Sequence, residues 1–254
     1  MAVKEERVAL VTGSGKGVGA GIVRVFTAAG IKCCINCNSN RAMAEETLKA
    51  VQEAGGEAFI YQADVSDPAQ VQAMVQAVVE KYGRLDILVN NAAMQPNQYI
   101  DEYTTESLQK LWNINFGGYW RCAKAAIPYI RQSPLGRIVN ICSVHGKRPT
   151  CFDAGYAMTK GAIRMFTREL SLELARDNIT VNAITLGSCR VEFKTGHPKW
   201  PMKSPKDTKN PAMNDISRTV YPVDVGNTVL YLCSEEASAM TGDCLRIDRG
   251  LMLV

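Results

Sequence analysis

The chain has 254 residues, 46% of them apolar and 21% charged, and a formal net charge of +4 from 29 Lys plus Arg against 25 Asp plus Glu. This globular composition excludes a disordered chain. The weak charge without a long basic run excludes a nucleic-acid partner, and the lack of any 18-residue apolar run excludes a membrane span.

The charged start, Met1 to Arg7, enters the short apolar run Val8–Val11, too brief for a signal peptide, so a cytoplasmic protein is expected. That run is a first strand. Thr12-Gly13-Ser14-Gly15-Lys16-Gly17-Val18-Gly19 follows, then a helical pattern with Val18, Ile22, Val25 and Phe26 on one face. Strand, glycine turn and helix start form the context of a dinucleotide site. Glycines let the backbone approach a pyrophosphate, and the helix N-terminus offers N–H groups and the positive end of its dipole.

The second strand, Lys32–Asn36, carries Cys33 and Cys34, with Cys37 just beyond. Strand residues three apart face opposite sides, so Cys34 and Cys37 cannot easily share a metal. The nine scattered cysteines are read as mostly buried structural thiols, with no disulfide framework and no metal site. Ala58–Tyr61 is a third strand. In Pro68–Lys81, Val71, Met74, Val75, Val78 and Val79 recur at helical spacing, with Asp67 as cap and Pro68 at the first helical position.

Ile87–Val89 and Arg137–Ile141 are the fourth and fifth strands. Ala154–Leu174 is a helix with Ile163, Phe166, Leu170 and Leu174 toward the core, and on it Tyr156 and Lys160 share one face. Thr180–Ile184 and Cys244–Ile247 complete the set. Only Val191 to Pro222 breaks the rhythm, with five prolines and five lysines (Lys194, Lys199, Lys203, Lys206, Lys209); a substrate lid at about 188–217 is expected. The alternation predicts one domain over 1–254: a three-layer α/β/α Rossmann fold with a doubly wound seven-stranded parallel sheet.

The spacing TGxxxGxG at Thr12–Gly19, Asn90-Asn91-Ala92-Ala93 after the fourth strand, Asn115, Ser143 after the fifth strand, and Tyr156-Ala157-Met158-Thr159-Lys160 occur in one order. Together they resemble the short-chain dehydrogenase/reductase family over nearly the whole chain, including its 3-oxoacyl-carrier-protein reductases and glucose dehydrogenase-like members. The resemblance implies a catalytic set of Asn115, Ser143, Tyr156 and Lys160. Tyr156 would exchange a proton with the substrate oxygen, and Ser143 would hydrogen-bond it. Lys160 would lower the tyrosine pKa from its usual value near 10 and bind the nicotinamide ribose, and Asn115 would hold a water leading to solvent.

The implied cofactor contacts are Gly13, Ser14, Lys16, Gly17, Val18 and Gly19 at the turn and Asn38, Ser39 and Arg41 after the second strand. Asp64 and Val65 would meet the adenine. Asn91, Ala92, Ala93, Tyr156, Lys160 and Gly187 complete the set. Cys37 stands where the family usually carries an acid for the ribose hydroxyls. With Lys16, Ser39 and Arg41 nearby, NADP(H) is preferred, and NAD(H) is possible.

The chain departs from the family pattern at Leu186, where proline is usual, at Val191, where threonine is usual, and at Arg249, where glycine is usual. Met94, His145 and Phe193 are candidates for the substrate pocket, with Trp200 beside them. The expected reaction interconverts a secondary alcohol and a ketone or other carbonyl on a small-molecule substrate, in a homotetramer or dimer. The rivals are an NAD(P)-dependent sugar or polyol dehydrogenase, a 3-oxoacyl thioester reductase and, from another class, a non-catalytic cofactor-sensing or scaffold protein.

Overall fold

The structure is a computed structural model that describes residues 6–148, 153–190 and 219–253. Its strands are β1 (Val8–Val11), β2 (Lys32–Cys37), β3 (Ala58–Gln62), β4 (Ile87–Asn90), β5 (Arg137–Ser143), β6 (Thr180–Leu186) and β7 (Cys244–Ile247). They form one sheet in the order β3-β2-β1-β4-β5-β6-β7, with every pairing parallel. Parallel neighbours need crossovers. The described helices are α1 (Gly17–Ala28), α2 (Arg41–Glu53), α3 (Pro68–Tyr82), α4 (Thr105–Trp112), α5 (Gly118–Ile130), α6 (Ala154–Leu174) and α7 (Pro222–Leu232). This is the doubly wound Rossmann arrangement. Its strand order reverses between β1 and β4, the place where such sheets bind ligands at the strands' carboxyl ends.

Strand side chains alternate between two cores. Val11, Cys33, Ile35, Cys37 and Val89 pack with Phe26 of α1, Val51 of α2 and Val229 of α7. Leu10, Cys34, Leu88 and Ile138 pack with Val75 of α3, Ala126 of α5 and Leu170 of α6. Cys34 and Cys37 thus face opposite sides, as the strand period requires. The cysteines of the described residues are free thiols. Burial pushes Cys122 and Cys233 up to about 12, so both stay protonated at neutral pH.

The α3 helix starts as its sequence dictates. Asp67 accepts from the backbone N of Ala69 at 2.8 Å and of Gln70 at 3.1 Å, and Pro68 opens the first turn. The middle strands run further than their apolar cores. Asn90 pairs in register with Asn140, and Ser143 with Leu186. The buried Asn90 Nδ2 donates to Asn140 Oδ1 at 3.0 Å, so the polar strand end stays in the ladder with a partner. Leucine at 186, unlike proline, keeps a backbone N–H, and β6 runs through it.

Beyond β6, Cys189 bridges Val220 in parallel. Arg190 N donates to Val220 O at 2.8 Å, and Val220 N to Ser188 O at 2.9 Å. Val220 then leads into α7. Arg249 sits at φ +46°, a left-handed backbone that explains why glycine suits the position. Its guanidinium reaches Asp224 at 3.4 Å and lies 5.6 Å from the Tyr221 ring centre.

Candidate functional site

The site begins with a knot of backbone contacts at the end of β1. Thr12 Oγ1 accepts from Asn91 N at 2.9 Å and Ala92 N at 3.1 Å. Asn91 Nδ2 returns the tie to Thr12 O at 2.9 Å and Gly13 O at 3.0 Å. Asn36, at the end of β2, accepts from Gly13 N through Oδ1 at 2.9 Å. These bonds hold the glycine turn open above the strand ends. Asn36 was absent from the sequence-derived site, although a polar residue in an otherwise apolar strand is a visible signal for it.

Gly13 has φ +60°, and a Cβ there would stand 2.8 Å from Ala92 Cα. Gly13→Ala is therefore expected to cost about 1–3 kcal/mol of stability and to close the turn against a dinucleotide. Thermal melting and cofactor titration check the two effects.

A cleft of about 470 Å³ follows the strand ends. Its floor is Gly13, Gly15, Lys16, Gly17 and Val18, at the N-terminus of α1. No side chain caps that terminus, and no acidic residue occupies its first turn. First-turn amides have no acceptor within their own helix, and the dipole there favours negative charge. An exposed Lys16 adds a cation. The donor set and the glycine cradle fit the pyrophosphate of a dinucleotide. Ser14 and Gly19 lie beneath this surface: the buried Ser14 Oγ donates to Val11 O at 2.6 Å, and Gly19 packs against Asn91 and the turn. They shape the cradle from below.

One end of the cleft is formed by Cys37, Asn38, Ser39, Asn40, Asp64 and Val65. Asn38 Nδ2 donates to Asp64 Oδ2 at 3.0 Å. Burial works against ionisation of Asp64, but hydrogen bonds from Ser66 and Asn38 prevail and hold its carboxyl below the usual value. Arg41 does not line the cleft; its Nε donates to Glu45 at 2.9 Å. At the other end stand Asn91, Ala92, Ala93 and Met94.

Met94 joins the cleft to the second cluster. Asn115 accepts from Met94 N at 2.8 Å, and its Nδ2 donates to Met94 O at 2.9 Å and Thr159 Oγ1 at 3.2 Å. Asn115 lies in a π-type turn, Asn113–Gly117, between α4 and α5, rather than in a regular helix. Such a turn carries an extra residue, and this one buries Asn115 completely. Thr159 Oγ1 in turn donates to Tyr156 O at 2.7 Å. Asn115 thus bridges the cleft rim to α6.

Tyr156 and Lys160 occupy successive turns of α6, with the ammonium 5.6 Å from the Tyr156 ring centre. Lys160 is 2% exposed, and its Nζ donates to Ile141 O at 2.9 Å. Tyr119 OH donates to the same carbonyl at 2.9 Å. Burial pushes the Lys160 ammonium down to about 8, against the opposing pull of Cys142. Ser143 ends β5 nearby and accepts from His145 N at 3.3 Å. The half-buried His145 ring meets Tyr156 edge-on, with ring centres 5.5 Å apart. Burial lowers the imidazole pKa, Asp153 opposes this, and Lys160 adds to it.

Asp153 is a further residue that motif reading missed, although an acid three residues before Tyr156 at a helix start is a cap signal. The buried carboxylate accepts from Tyr156 N at 2.9 Å, Tyr103 OH at 2.6 Å and Asn97 N at 2.9 Å. It fixes the first turn of α6 against the chain that follows Met94. Gly187 lies past β6, where a Cβ would stand 2.6 Å from Asp248 Cβ, and it is not part of the cleft wall described above. Phe193, with Val191, Trp200 and the five lysines of the expected lid, lies outside the described residues.

Comparison with known proteins follows the geometry. Residues 7–201 match the family model described as short chain dehydrogenase. The chain is similar to glucose 1-dehydrogenase 2 of Bacillus subtilis, 33% identical over 97% of this chain and 95% of that one. It is 34% identical to 3beta-hydroxysteroid dehydrogenase 1 of Eggerthella lenta, over 96% and 93% of the two chains. Among solved structures it resembles a variant of actinorhodin polyketide ketoreductase with NADPH, at TM-score 0.84 and 32% identity, covering 99% of each chain.

Proposed function

The chain belongs to the short-chain dehydrogenase family, whose members are oxidoreductases acting on CH–OH groups, and we propose that it interconverts a secondary alcohol and a ketone with NADP(H). The non-catalytic alternative gives way to this assignment. The observation that carries the reading is the pairing of Tyr156 with the buried Lys160, with His145 linking Tyr156 to Ser143, and the tie of that cluster through Asn115 and Met94 to the cleft over the glycine turn.

The nicotinamide, when bound, supplies or takes the hydride. The protein manages the oxygen. Tyr156 donates its hydroxyl proton to the carbonyl oxygen during reduction and accepts it back during oxidation. Ser143 hydrogen-bonds the same oxygen and holds it toward Tyr156. Lys160 places a cation beside the ring, which favours the phenolate and brings the tyrosine pKa toward the working range. Its buried position keeps that cation weakly screened. Asn115 holds α6 in register with the cleft rim.

Cofactor choice rests on the end of β2. No carboxylate stands at Cys37 to repel a 2′-phosphate, and Asn38, Ser39 and Lys16 line the same cleft. Arg41 is one side chain away, at the start of α2. Charge-assisted hydrogen bonds are worth about 1.5–3 kcal/mol each, or roughly 10- to 150-fold in affinity. NADPH is therefore expected to bind at least about tenfold tighter than NADH, read by nucleotide fluorescence in parallel titrations. Equal or reversed affinities would overturn the NADP(H) assignment.

A second reading, NADP-linked oxidation of a sugar or polyol, is favoured by the His145 ring beside Tyr156, which offers a polar group to a hydroxyl-rich substrate. Aldose oxidation without ketone reduction would select it, and turnover of an acetoacetyl thioester would select a 3-oxoacyl reductase. A homotetramer or dimer is supported by exposed apolar side chains on neighbouring helices: Trp112 of α4, Trp120 of α5, and Met158, Met165 and Leu172 of α6. A cytoplasmic small-molecule enzyme is consistent with the described helices, none of which is long and apolar enough to cross a membrane.

A further inference from the structure

The acid that faces Arg41 belongs to the chain itself. One turn along α2, Glu45 Oε1 accepts from Arg41 Nε at 2.9 Å, with both side chains 58% exposed. An exposed pair of this kind is weak, so a better anion can take the guanidinium away from it.

The helix that carries the pair is seated on the glycine turn. Thr47 Oγ1 donates to Gly15 O at 3.0 Å, and a Cβ at Gly15 would stand 3.2 Å from Ala44 Cβ. The Arg41–Glu45 edge is therefore held beside the cleft. Ser39, Asn40 and Met43 line the cleft on either side of Arg41. The charges of both Arg41 and Glu45 are felt at Cys37, which also lines it.

We infer that Glu45 is a specificity-determining residue: it competes with a 2′-phosphate for the Arg41 guanidinium and so lowers the preference for NADPH over NADH. This rests on the NADP(H) reading above. The Glu45 carboxylate holds Arg41 through its Nε. Glu45 neutralises part of the guanidinium charge through its bond to Nε, and its carboxylate repels a 2′-phosphate brought to the same guanidinium. NADH carries no 2′-phosphate, so its binding is indifferent to this repulsion.

The test titrates wild type, Glu45→Gln, Arg41→Gln and the double variant with NADPH and with NADH at low salt, where exposed charges are least screened. Glu45→Gln is expected to bind NADPH about two- to five-fold tighter with NADH affinity unchanged, and the gain should vanish in the double variant. Unchanged NADPH affinity in Glu45→Gln, or an equal shift for both nucleotides, overturns the inference. If Arg41→Gln weakens NADPH while Glu45→Gln is neutral, Glu45 alone is wrong. If Arg41→Gln has no effect in either background, the phosphate role of Arg41 falls, and Glu45 with it. Both side chains are on the surface of α2, so neither variant threatens the fold.

Discussion

Tyr156→Phe is expected to lower turnover by about 10²–10⁴-fold, the range that a positioned acid–base group contributes. The variant keeps the ring that packs edge-on to His145 and the backbone N that donates to Asp153. The fold and the cleft therefore survive, and NADPH affinity should change by less than about twofold. The measurement is NADPH oxidation at saturating cofactor with a panel of hydroxyketones and an acetoacetyl thioester, followed by NADP reduction with aldoses. A variant that keeps near wild-type turnover would mean the proton comes from elsewhere, with His145 the nearest alternative.

Lys160→Met should separate activity from stability. The ammonium is buried beneath Tyr119 and Tyr156, with a backbone carbonyl as its described hydrogen-bond acceptor. Burial lowers its pKa to about 8 in the native protein, against about 10.4 in an unfolded chain. Between those values the unfolded chain binds the extra proton, so native stability rises with pH across the window. Below pH 8 both states are protonated and the burial penalty is fully present. The methionine variant lacks that penalty, so it should melt higher than wild type near pH 7. The gap should narrow by up to about 1.4 kcal/mol per pH unit as pH rises through the window. Activity should fall as steeply as in Tyr156→Phe, and cofactor affinity should weaken. Urea melts at pH 7, 9 and 10 give the stability curve; a variant less stable than wild type at pH 7 would contradict the burial argument.

Much of this architecture is legible because buried parallel strands leave continuous apolar runs. Val8–Val11 and Cys244–Ile247 match the observed strands residue for residue. The remaining strands are short-read at their carboxyl ends, where Asn90 and Ser143 look like loop residues but stay in the ladder through pairing that periodicity does not reveal. Short-range rules also place the α3 cap at Asp67. The Tyr156–Lys160 face follows from helical spacing, and Ser143 is named because the motif order points to it.

Other features depend on side-chain directions and contacts that spacing does not fix. Ser14 belongs to the glycine motif, but its hydroxyl turns down to Val11 O, a direction that spacing cannot show. Arg41 follows the second strand, where the resemblance implies a phosphate contact, yet it pairs with Glu45 one helical turn away, a pair that sequence spacing permits without requiring. Asp153 gathers donors from its own helix start and from the distant segment holding Asn97 and Tyr103. A cap residue read locally carries no sign of that convergence.

The Cys189–Val220 bridge makes the fold tolerant of changes in chain length. Because the chain leaves and returns through adjacent residues, the loop is closed at its base by this pairing. Closure entropy rises only slowly with length, by about 0.6 kcal/mol per doubling. A change in the number of residues between the two residues of the bridge therefore costs the described fold little. The sheet, α1 and the Tyr156 helix are thus closed off by the bridge itself, and their stability depends little on how many residues separate Cys189 from Val220.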